Sequence, residues 1–225
     1  EMPQVDIAAI RRVVDNCEAG YLGLEDIRTL LDAAGISRKM EVEVDNVDAA
    51  VDFARKVGYP LVMKVVGPLH KSDVGGVVLN VKDEETVIRE FNRLIKIPET
   101  YAVEIYPMLF GTEVFIGASK EEKFGHQVLF GLGGIFVEVM KDVKAALAPV
   151  SQSEALSLLK QLRGYKILKG VRGQEPVNEE LFAETVARVS ALVTAAPEIA
   201  EMDLNPLLGT SKSITAVDAR IRIEK

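Results

Sequence analysis

The sequence predicts an α+β protein. In the first half, helical and strand-like segments alternate, whereas from Tyr101 onwards three β-rich runs follow one another: YAVEIYPM, TEVFIGAS and HQVLFG. Alternating helices and strands are typical of layered α/β units, and consecutive strand-like runs separated by turns favour an antiparallel sheet. With 225 residues, the chain can bury a core in one large domain or two small ones.

Helical spacing of apolar residues predicts two opening helices, Ile7–Asn16 and Leu24–Ala34, and Gly35 is typical of a helix end. Met40–Val44 alternates as a strand does. Asn46 then provides an N-cap for the next helix, Val47–Val57.

Pro60 begins the next strand-like run, and Val77–Val81 is another. Asp83–Leu94 has the pattern of an amphipathic helix. Beyond the β-rich runs, which are separated by turns at Leu109–Gly111 and Lys120–Gly125, the remaining segments are two helices and two short strands: Ser153–Leu162, Asn178–Ala195, Met202–Leu208 and Ile214–Ala219.

The composition is that of an ordinary globular protein, with 48% hydrophobic and 27% charged residues. The net charge of -7 argues against a general affinity for nucleic acid or an anionic membrane. Cys17 is the single cysteine, so an internal disulfide is excluded. No apolar run approaches the roughly 20 residues of a membrane span, and no signal peptide is recognisable, so we expect a cytoplasmic protein.

His70 lies in a polar loop bounded by Gly67-Pro68 and Gly75-Gly76, between two apolar runs. Flexible joints of this kind present mobile or reactive side chains. Imidazole titrates near pH 6.5, so at neutral pH much of it offers a free ring nitrogen for attack or metal binding. The alternative is a surface histidine beside a turn, and residue type alone favours that alternative.

Lys64 interrupts the apolar run PLVMKVV, where a buried ammonium group needs an anion; a lysine on the solvent face of the strand is the alternative. Gly131–Gly134 (GLGG) follows the run VLF, so backbone amides without Cβ atoms can approach a phosphate. Its spacing matches neither a Rossmann fingerprint nor a Walker-type phosphate loop, no helix is predicted to begin there, and a tight β-turn is the alternative.

Carboxylates and an amide near the C-terminus suggest a magnesium site. Asp203 and Asn205 lie in MDLNPL, and Asp218 lies in AVDAR. Mg²⁺ is bound through one or two protein carboxylates together with phosphate oxygens and water, and a hairpin would place Asn205 beside Asp218. The alternative is that Asp203 and Asn205 form a turn before Pro206 while Asp218 faces solvent.

Four motifs occur in the order GYPLVMKVVGPLHKSDVGGVVLNV, FGHQVLFGLGGIFVEVMKDV, ILKGVRG and EMDLNPLL. In this order they resemble the ATP-grasp β subunit of ADP-forming acyl-CoA synthetases, the relatives of succinyl-CoA synthetase. The resemblance extends from about Gly20 to Arg220. It implies two α+β lobes with ATP or ADP between them: an N-terminal helix in residues 1–20, a first lobe with the His70 loop in residues 21–100, and a second lobe with the glycine-rich loop and magnesium site in residues 101–225.

The resemblance also implies roles for individual residues. Lys64 contacts the nucleotide phosphates, and Glu113 binds the ribose. The segment Glu104–Pro107, which includes Ile105 and Tyr106, resembles the hinge against which adenine packs, with Glu104 accepting from the adenine amine. Gly133 and Gly134 complete the nucleotide site. Asn205 and Asp218 match the magnesium ligands, and Asp203 is a further candidate ligand.

By the same resemblance, His70 is a phosphoryl carrier. A CoA-binding α subunit, with its own phosphohistidine, transfers the phosphoryl group to His70, which passes it to ADP; an α2β2 assembly is expected, and the acyl site lies on the partner. Asp73 is near enough in sequence to orient the ring. Two further readings stay open: a single-chain ATP-grasp carboxylate ligase acting through an acyl phosphate, and a non-catalytic nucleotide-binding subunit.

The chain departs from the family pattern at two places, and one residue of a matching motif has two possible roles. Relatives often have Ser-Phe-Arg after the LKDV-like segment, but Lys144-Ala145-Ala146 stands here, and a lysine lacks the bidentate geometry of a guanidinium. His126 replaces a more usual proline and is interpreted as a strand-end residue without a catalytic role. Arg172, in GVRG, is assigned either to the cleft or to the partner surface.

Overall fold

The structure is a computed structural model that describes residues 1–225 apart from the side chains at positions 135 and 136. The chain forms two compact units: the larger contains Glu1–Arg38 and Phe110–Lys225, and the smaller contains Lys39–Leu109. Both units have an antiparallel sheet, which confirms the predicted α+β class. Across the described residues, none of the helices has the length and apolar character of a membrane span.

The elements, in chain order, are α1 (Ile7–Asn16), β1 (Gly20–Tyr21), α2 (Leu24–Ala33), β2 (Val42–Val44), α3 (Val47–Val57), β3 (Leu61–Val66), β4 (Val77–Val81), α4 (Glu84–Leu94), β5 (Ala102–Pro107), β6 (Thr112–Glu121), β7 (Gly125–Leu132), α5 (Ile135–Glu138), β8 (Val143–Leu147), α6 (Gln152–Leu159), α7 (Tyr165–Leu168), α8 (Glu179–Ala195), β9 (Ile199–Gly209), β10 (Ile214–Ala216) and β11 (Ala219–Ile223).

Side-chain caps explain why most of the longer helices begin where they do. Asn46, for example, accepts a hydrogen bond from the backbone N–H of Ala49, three residues into α3. Such a cap satisfies one of the N–H groups that lack a partner in the first turn of a helix. The same arrangement begins α1, α4, α6 and α8, at Asp6, Asp83, Ser151 and Asn178.

The smaller unit is a four-stranded antiparallel sheet in the order β2-β5-β3-β4. Alternate strand residues such as Met63, Val65 and Ile105 pack in one apolar core together with Ala54 of α3 and Phe91 of α4. The strand β5 was expected to belong to the second lobe, with the β-rich runs that follow it. It instead lies between β2 and β3, so the three runs do not form one sheet.

The larger unit is built on a seven-stranded sheet, with β1-β11-β9-β6-β7-β8 in order and β10 paired to β9. One face of this sheet packs against α1, α2, α6 and α8, through residues such as Ile116, Phe130 and Phe182. Ile10 and Leu30 belong to this core, so residues 1–38, which the sequence analysis divided between an N-terminal helix and the first lobe, pack in the larger unit.

The opposite side of the larger sheet has polar residues. We call it the polar face and define it by Gly117 and Ser119 of β6, Glu201, Asp203 and Asn205 of β9, and Arg220 and Arg222 of β11. These residues alternate along their strands with residues whose side chains enter the core against the helices, and across the strands they pair in register with one another, as Asp203 does with Gly117 and Arg220. Because successive side chains of a strand point to opposite faces, the polar face is the side away from the helices.

Candidate functional site

In the smaller unit, Lys64, His70 and Glu104 line one open pocket of about 410 Å³. Lys64 is half-buried on β3, where it lies opposite Glu104 of β5 and Val77 of β4. The pocket is completed by Leu69, Lys71, Ser72, Asp73 and Val77. The structure therefore brings Glu104, from the predicted adenine hinge, to the same pocket as Lys64 and His70, which share one sequence motif.

The His70 loop is held at both ends and exposed in the middle. A Cβ atom at Gly67, whose φ is +132°, would lie 2.1 Å from the carbonyl oxygen of Glu99. At the other end, Gly76 is buried and accepts a hydrogen bond at 2.9 Å from Val65 of β3. Leu69, next to His70, is 92% exposed. The imidazole thus belongs to a projecting segment between two fixed ends.

An arginine from helix α4 contacts the second joint of this loop. Arg93 Nη1 donates to the carbonyl oxygen of Gly75 at 3.0 Å, and its Nε donates to Glu90 at 2.7 Å. Gly75 has a φ of +69°, which a residue with a side chain adopts with strain. The loop therefore leaves the sheet at Gly76 and is tied to α4 one residue earlier.

Charged residues that the sequence analysis did not identify surround Lys64 and Glu104. Lys39 lies 4.0 Å above the Tyr106 ring and forms an ion pair with Glu41 at 3.4 Å, and Lys64 lies 5.2 Å from the same ring. Burial raises the pKa of Glu104, and a hydrogen bond and negative charge from Glu41 raise it further, against the opposing charges of the two lysines. The alternation of charged with apolar residues in RKMEVEV was the signal for this cluster.

The predicted adenine hinge is only partly accessible. The side chain of Ile105 is buried in the smaller core, and its backbone pairs with Val42 and Met63 on the two neighbouring strands. Tyr106, by contrast, is half-buried beneath the lysines. Ile105 is therefore a core residue of the sheet, whereas the side chains of Glu104 and Tyr106 are partly accessible.

In the larger unit, Glu113 and the glycine-rich loop line a pocket of about 660 Å³. The Gly133 N–H donates to the Glu113 carbonyl at 2.8 Å, and a Cβ atom at Gly133 would lie 3.2 Å from the Glu113 backbone. A Cβ atom at Gly134, whose φ is +61°, would lie 3.1 Å from the Glu113 carboxylate. The one-turn helix α5 begins directly after Gly134, although no helix was predicted there.

The C-terminal acidic residues lie where β9 approaches β11. The backbone N–H of Asn205 donates to the carbonyl of Asp218 at 3.2 Å, so these residues are neighbours, as the predicted hairpin required. Asp203 lies two residues before Asn205 on the polar face, and burial raises its pKa while the charge of Arg220 opposes that rise. Asp203 also lines a separate pocket of about 290 Å³, with Tyr21, Gly117, Glu201 and Arg220 among its lining residues.

The donor set fits Mg²⁺. Asn205 and Asp218 are exposed oxygen donors, and this ion is commonly held by one or two carboxylates while phosphate oxygens and water complete its shell. In the part of the chain whose side chains are described, no group of three or more His, Cys, Asp or Glu side chains is arranged to hold a metal. Such a site would therefore depend on ligands from a phosphate.

The two residues that depart from the family pattern, His126 and Lys144, lie elsewhere, and so does Arg172. His126 is buried at the start of β7, with Nε2 2.6 Å from the carbonyl oxygen of Ile199, and is a strand-end residue. Lys144 is opposite Phe130, whose side chain enters the helical core, so Lys144 is not on the polar face. Arg172 is exposed, with a φ of +52°.

Comparison with known proteins gives a consistent result. The sequence profile of the ATP-grasp domain family matches residues 14–223. The chain is 37% identical over 227 residues to the acetate–CoA ligase (ADP-forming) I subunit β of Pyrococcus furiosus, covering 96% of this chain and 98% of that one. It is also 37% identical to the 4-hydroxybutyrate–CoA ligase (ADP-forming) of Nitrosopumilus maritimus, over 88% of this chain and 30% of that protein.

Among solved structures, the chain is similar to the dinucleotide-forming acetyl-coenzyme A synthetase 1 of Ca. Korarchaeum cryptofilum, with a TM-score of 0.73 and 35% identity over 97% of this chain and 100% of that chain. That structure contains coenzyme A and Mg-AMPPCP, and its phosphohistidine segment points towards the nucleotide binding site.

Proposed function

Since the chain belongs to the ATP-grasp domain family and is homologous to the β subunits of ADP-forming acid–CoA ligases, we propose that it is the nucleotide-binding β subunit of such a ligase. The enzyme interconverts acyl-CoA, ADP and phosphate with the carboxylic acid, CoA and ATP. The observation that carries this proposal is the exposed His70 loop, which is held at both ends and lines one pocket with Lys64.

His70 acts as a phosphoryl carrier. A free nitrogen of its ring forms a bond to phosphorus as the bond from phosphorus to the partner's phosphohistidine breaks. The ring then releases the phosphoryl group to a terminal oxygen of ADP, and the nitrogen recovers its lone pair. Lys64 stabilises the negative charge on the phosphoryl oxygens, and Asp73, on the same loop, orients the imidazole.

The other predicted residues bind the nucleotide and its ion. Asn205 and Asp218, with Asp203 as a further ligand, would hold Mg²⁺, which neutralises charge on the phosphates when bound. Glu113 accepts from the ribose hydroxyls, and its position beside the glycine-rich loop supports that role. In the glycine-rich loop, the backbone amides of Gly133 and Gly134 approach the phosphates. Glu104 and Tyr106 recognise the adenine.

A CoA-binding α subunit with its own phosphohistidine completes the enzyme, in an α2β2 assembly. The similarity to a chain named as subunit β supports a separate partner. The relatives are named for acetate and for 4-hydroxybutyrate, although their identity to this chain is 37% in both cases. We therefore assign the choice of acyl group to the partner, which carries the acid and CoA sites.

The test is phosphoryl labelling of the chain from Mg-ATP labelled at its γ-phosphate. The chain has two histidines, so His126→Phe is a matched control for His70→Ala. We expect acid-labile, base-stable label on wild type and on His126→Phe, and none on His70→Ala. Label that survives His70→Ala excludes the carrier role, and synthesis of acyl-CoA by the chain alone would instead indicate a complete carboxylate ligase.

Mixing the chain with its α partner, acetyl-CoA and labelled phosphate tests the reverse direction. Label on His70 that ADP then removes as ATP is the expected result. Nucleotide binding without label in either direction would indicate a non-catalytic nucleotide-binding subunit.

A further inference from the structure

Two arginines on β11 share the polar face, but their surroundings differ. Arg222 forms ion pairs with Glu201 at 3.4 Å and with Glu224 at 2.6 Å. Arg220 lies over the ring of Tyr21, with its guanidinium carbon 5.0 Å from the ring centre. Among the side chains that the structure describes, no carboxylate forms an ion pair with Arg220, so its N–H groups are available to an anion.

The ring below Arg220 is itself fixed. The Tyr21 hydroxyl donates to Glu201 at 3.0 Å, which is the carboxylate that Arg222 also contacts. A guanidinium supported on an aromatic face keeps its charge and its N–H edges exposed. Arg222 forms ion pairs with two carboxylates, whereas Arg220 is oriented by the ring and forms no ion pair with any described side chain, and its charge acts on Asp203 and Glu201 without direct contact.

A concave space lies beside Arg220. Asp203 is its register partner on β9, and Gly117 is the register partner of Asp203 on β6. Because Gly117 has no side chain, the surface there is open. The pocket at this place has a volume of about 290 Å³, and its lining includes Tyr21, Gly117, Glu201, Asp203 and Arg220. The space is large enough for a phosphoryl group.

The same space is next to the proposed magnesium ligands. Arg220 follows Asp218 by two residues, a separation of about 6.6 Å along an extended strand, which an arginine side chain can span. Asp218 is hydrogen-bonded to Asn205 through the backbone. Lys144, the other cation considered for a phosphate contact, is on the opposite side of the sheet.

We propose that Arg220 is a catalytic residue that binds the terminal phosphate of the nucleotide beside the Asn205 and Asp218 magnesium site. This inference rests on the proposed function. Arg220 supplies N–H donors to phosphate oxygens that the metal does not neutralise, and it stabilises the charge that moves between the phosphoryl group and ADP during transfer. It provides the planar guanidinium that Lys144 cannot provide.

The experiment compares Arg220→Met with Arg222→Met, which removes the same charge from the same face of the same strand. Each chain is titrated with adenosine, ADP and AMPPCP in the presence of Mg²⁺. We expect Arg220→Met to bind AMPPCP about tenfold more weakly than wild type, because a charge-assisted hydrogen bond is lost. Adenosine binding is expected to be unchanged, and Arg222→Met is expected to bind all three ligands as wild type does.

Labelling of His70 from Mg-ATP gives a second readout. We expect it to be about 100-fold slower in Arg220→Met, the usual effect of removing one donor to a developing charge. Arg220→Lys should recover part of this rate, since it restores the charge without the fork. A loss confined to AMPPCP places the contact at the γ-phosphate, and a loss with ADP as well places it at the β-phosphate.

Equal AMPPCP affinity and equal labelling rates in wild type and Arg220→Met would overturn the inference, as would an equal loss in Arg222→Met or an equal loss of adenosine binding. Failure of wild type to bind ADP or to be labelled overturns the proposed function itself. The two failures are therefore distinguishable.

Discussion

Replacing Gly76 with alanine should disrupt the fixed joint of the His70 loop. An added Cβ atom would lie 2.4 Å from Cγ2 of Val65 and 2.8 Å from the carbonyl oxygen of Lys71. Both distances are shorter than van der Waals contact, so the strand or the loop must move. The neighbouring Gly75 is the matched control, since its nearest heavy atom would be 3.6 Å away and only its φ of +69° resists a side chain.

The magnitude follows from these contacts. Overpacking a well-packed site lowers the free energy of unfolding by about 1–3 kcal/mol. Replacing glycine with alanine raises it by about 0.5–1 kcal/mol, because the unfolded chain then has fewer conformations. We expect a net destabilisation of about 1–2 kcal/mol for Gly76→Ala, a factor of about 5–30 in the local opening equilibrium. Gly75→Ala costs about 1 kcal/mol from the left-handed backbone, independently of Val65.

Native-state hydrogen exchange at the Val65 amide measures this opening, because that amide donates to the Gly76 carbonyl. A global unfolding curve is less suitable, since the chain has two compact units. Val65→Ala removes the clashing methyl, so we expect Gly76→Ala and Val65→Ala to be coupled by about 1 kcal/mol. Gly75→Ala and Val65→Ala should be additive. Unchanged Val65 exchange in Gly76→Ala, or additivity with Val65→Ala, would refute the steric argument.

Three further predictions concern the same chain. Arg93→Met should accelerate exchange at the Gly75-Gly76 joint about fivefold, because an exposed charged hydrogen bond contributes about 1 kcal/mol; Arg89→Met, on the same helix, should not. Glu104→Gln should reduce the loss of stability that occurs as the pH rises above about 4.5. The fold raises the pKa of Glu104, so the folded state binds more protons than the unfolded state in this range, and stability falls as pH rises through it. Hydrogen exchange at amides of the smaller unit, corrected for the intrinsic effect of pH on exchange, measures this, and an unchanged slope contradicts it. His126→Phe should lower the stability of the larger unit by about 1–3 kcal/mol, since a buried carbonyl loses its partner, with full labelling of His70; loss of label would contradict a purely structural role.

Local signals predicted many of the helices and strands well. The bounds of α1, α3 and β4 are those expected from periodicity and capping, because each depends on residues within one segment. Strand β8 was missed: VKAAL has one β-branched residue and gains its structure by pairing with β7. The partner of a strand is a long-range property. For the same reason, β5 was predicted in the wrong sheet.

The residues of the candidate site also fall into two groups: those that a local pattern indicates, and those that only strand pairing reveals. Residue chemistry and local pattern indicated Lys64, His70 and Asn205 as candidates beside ordinary structural alternatives, and the family resemblance gave each of them its predicted role. Lys39 and Glu41 were missed because a charged residue beside a strand gives no sign of which pocket it enters; the pairing of β2 with β5 determines that.

Register also decides which cation serves a phosphate. Lys144 and Arg220 are both basic residues in short strands, and the sequence analysis considered Lys144 because of its place in a motif. Register puts Lys144 opposite Phe130 of the helical core and Arg220 opposite Asp203 of the polar face. A shift of one residue in the register of either strand would move its basic residue to the opposite face of the sheet, because the side-chain period of a strand is two. Arg222, with the same face and charge, is neutralised by its neighbours, so among these three cations only Arg220 combines the required face with unpaired donors.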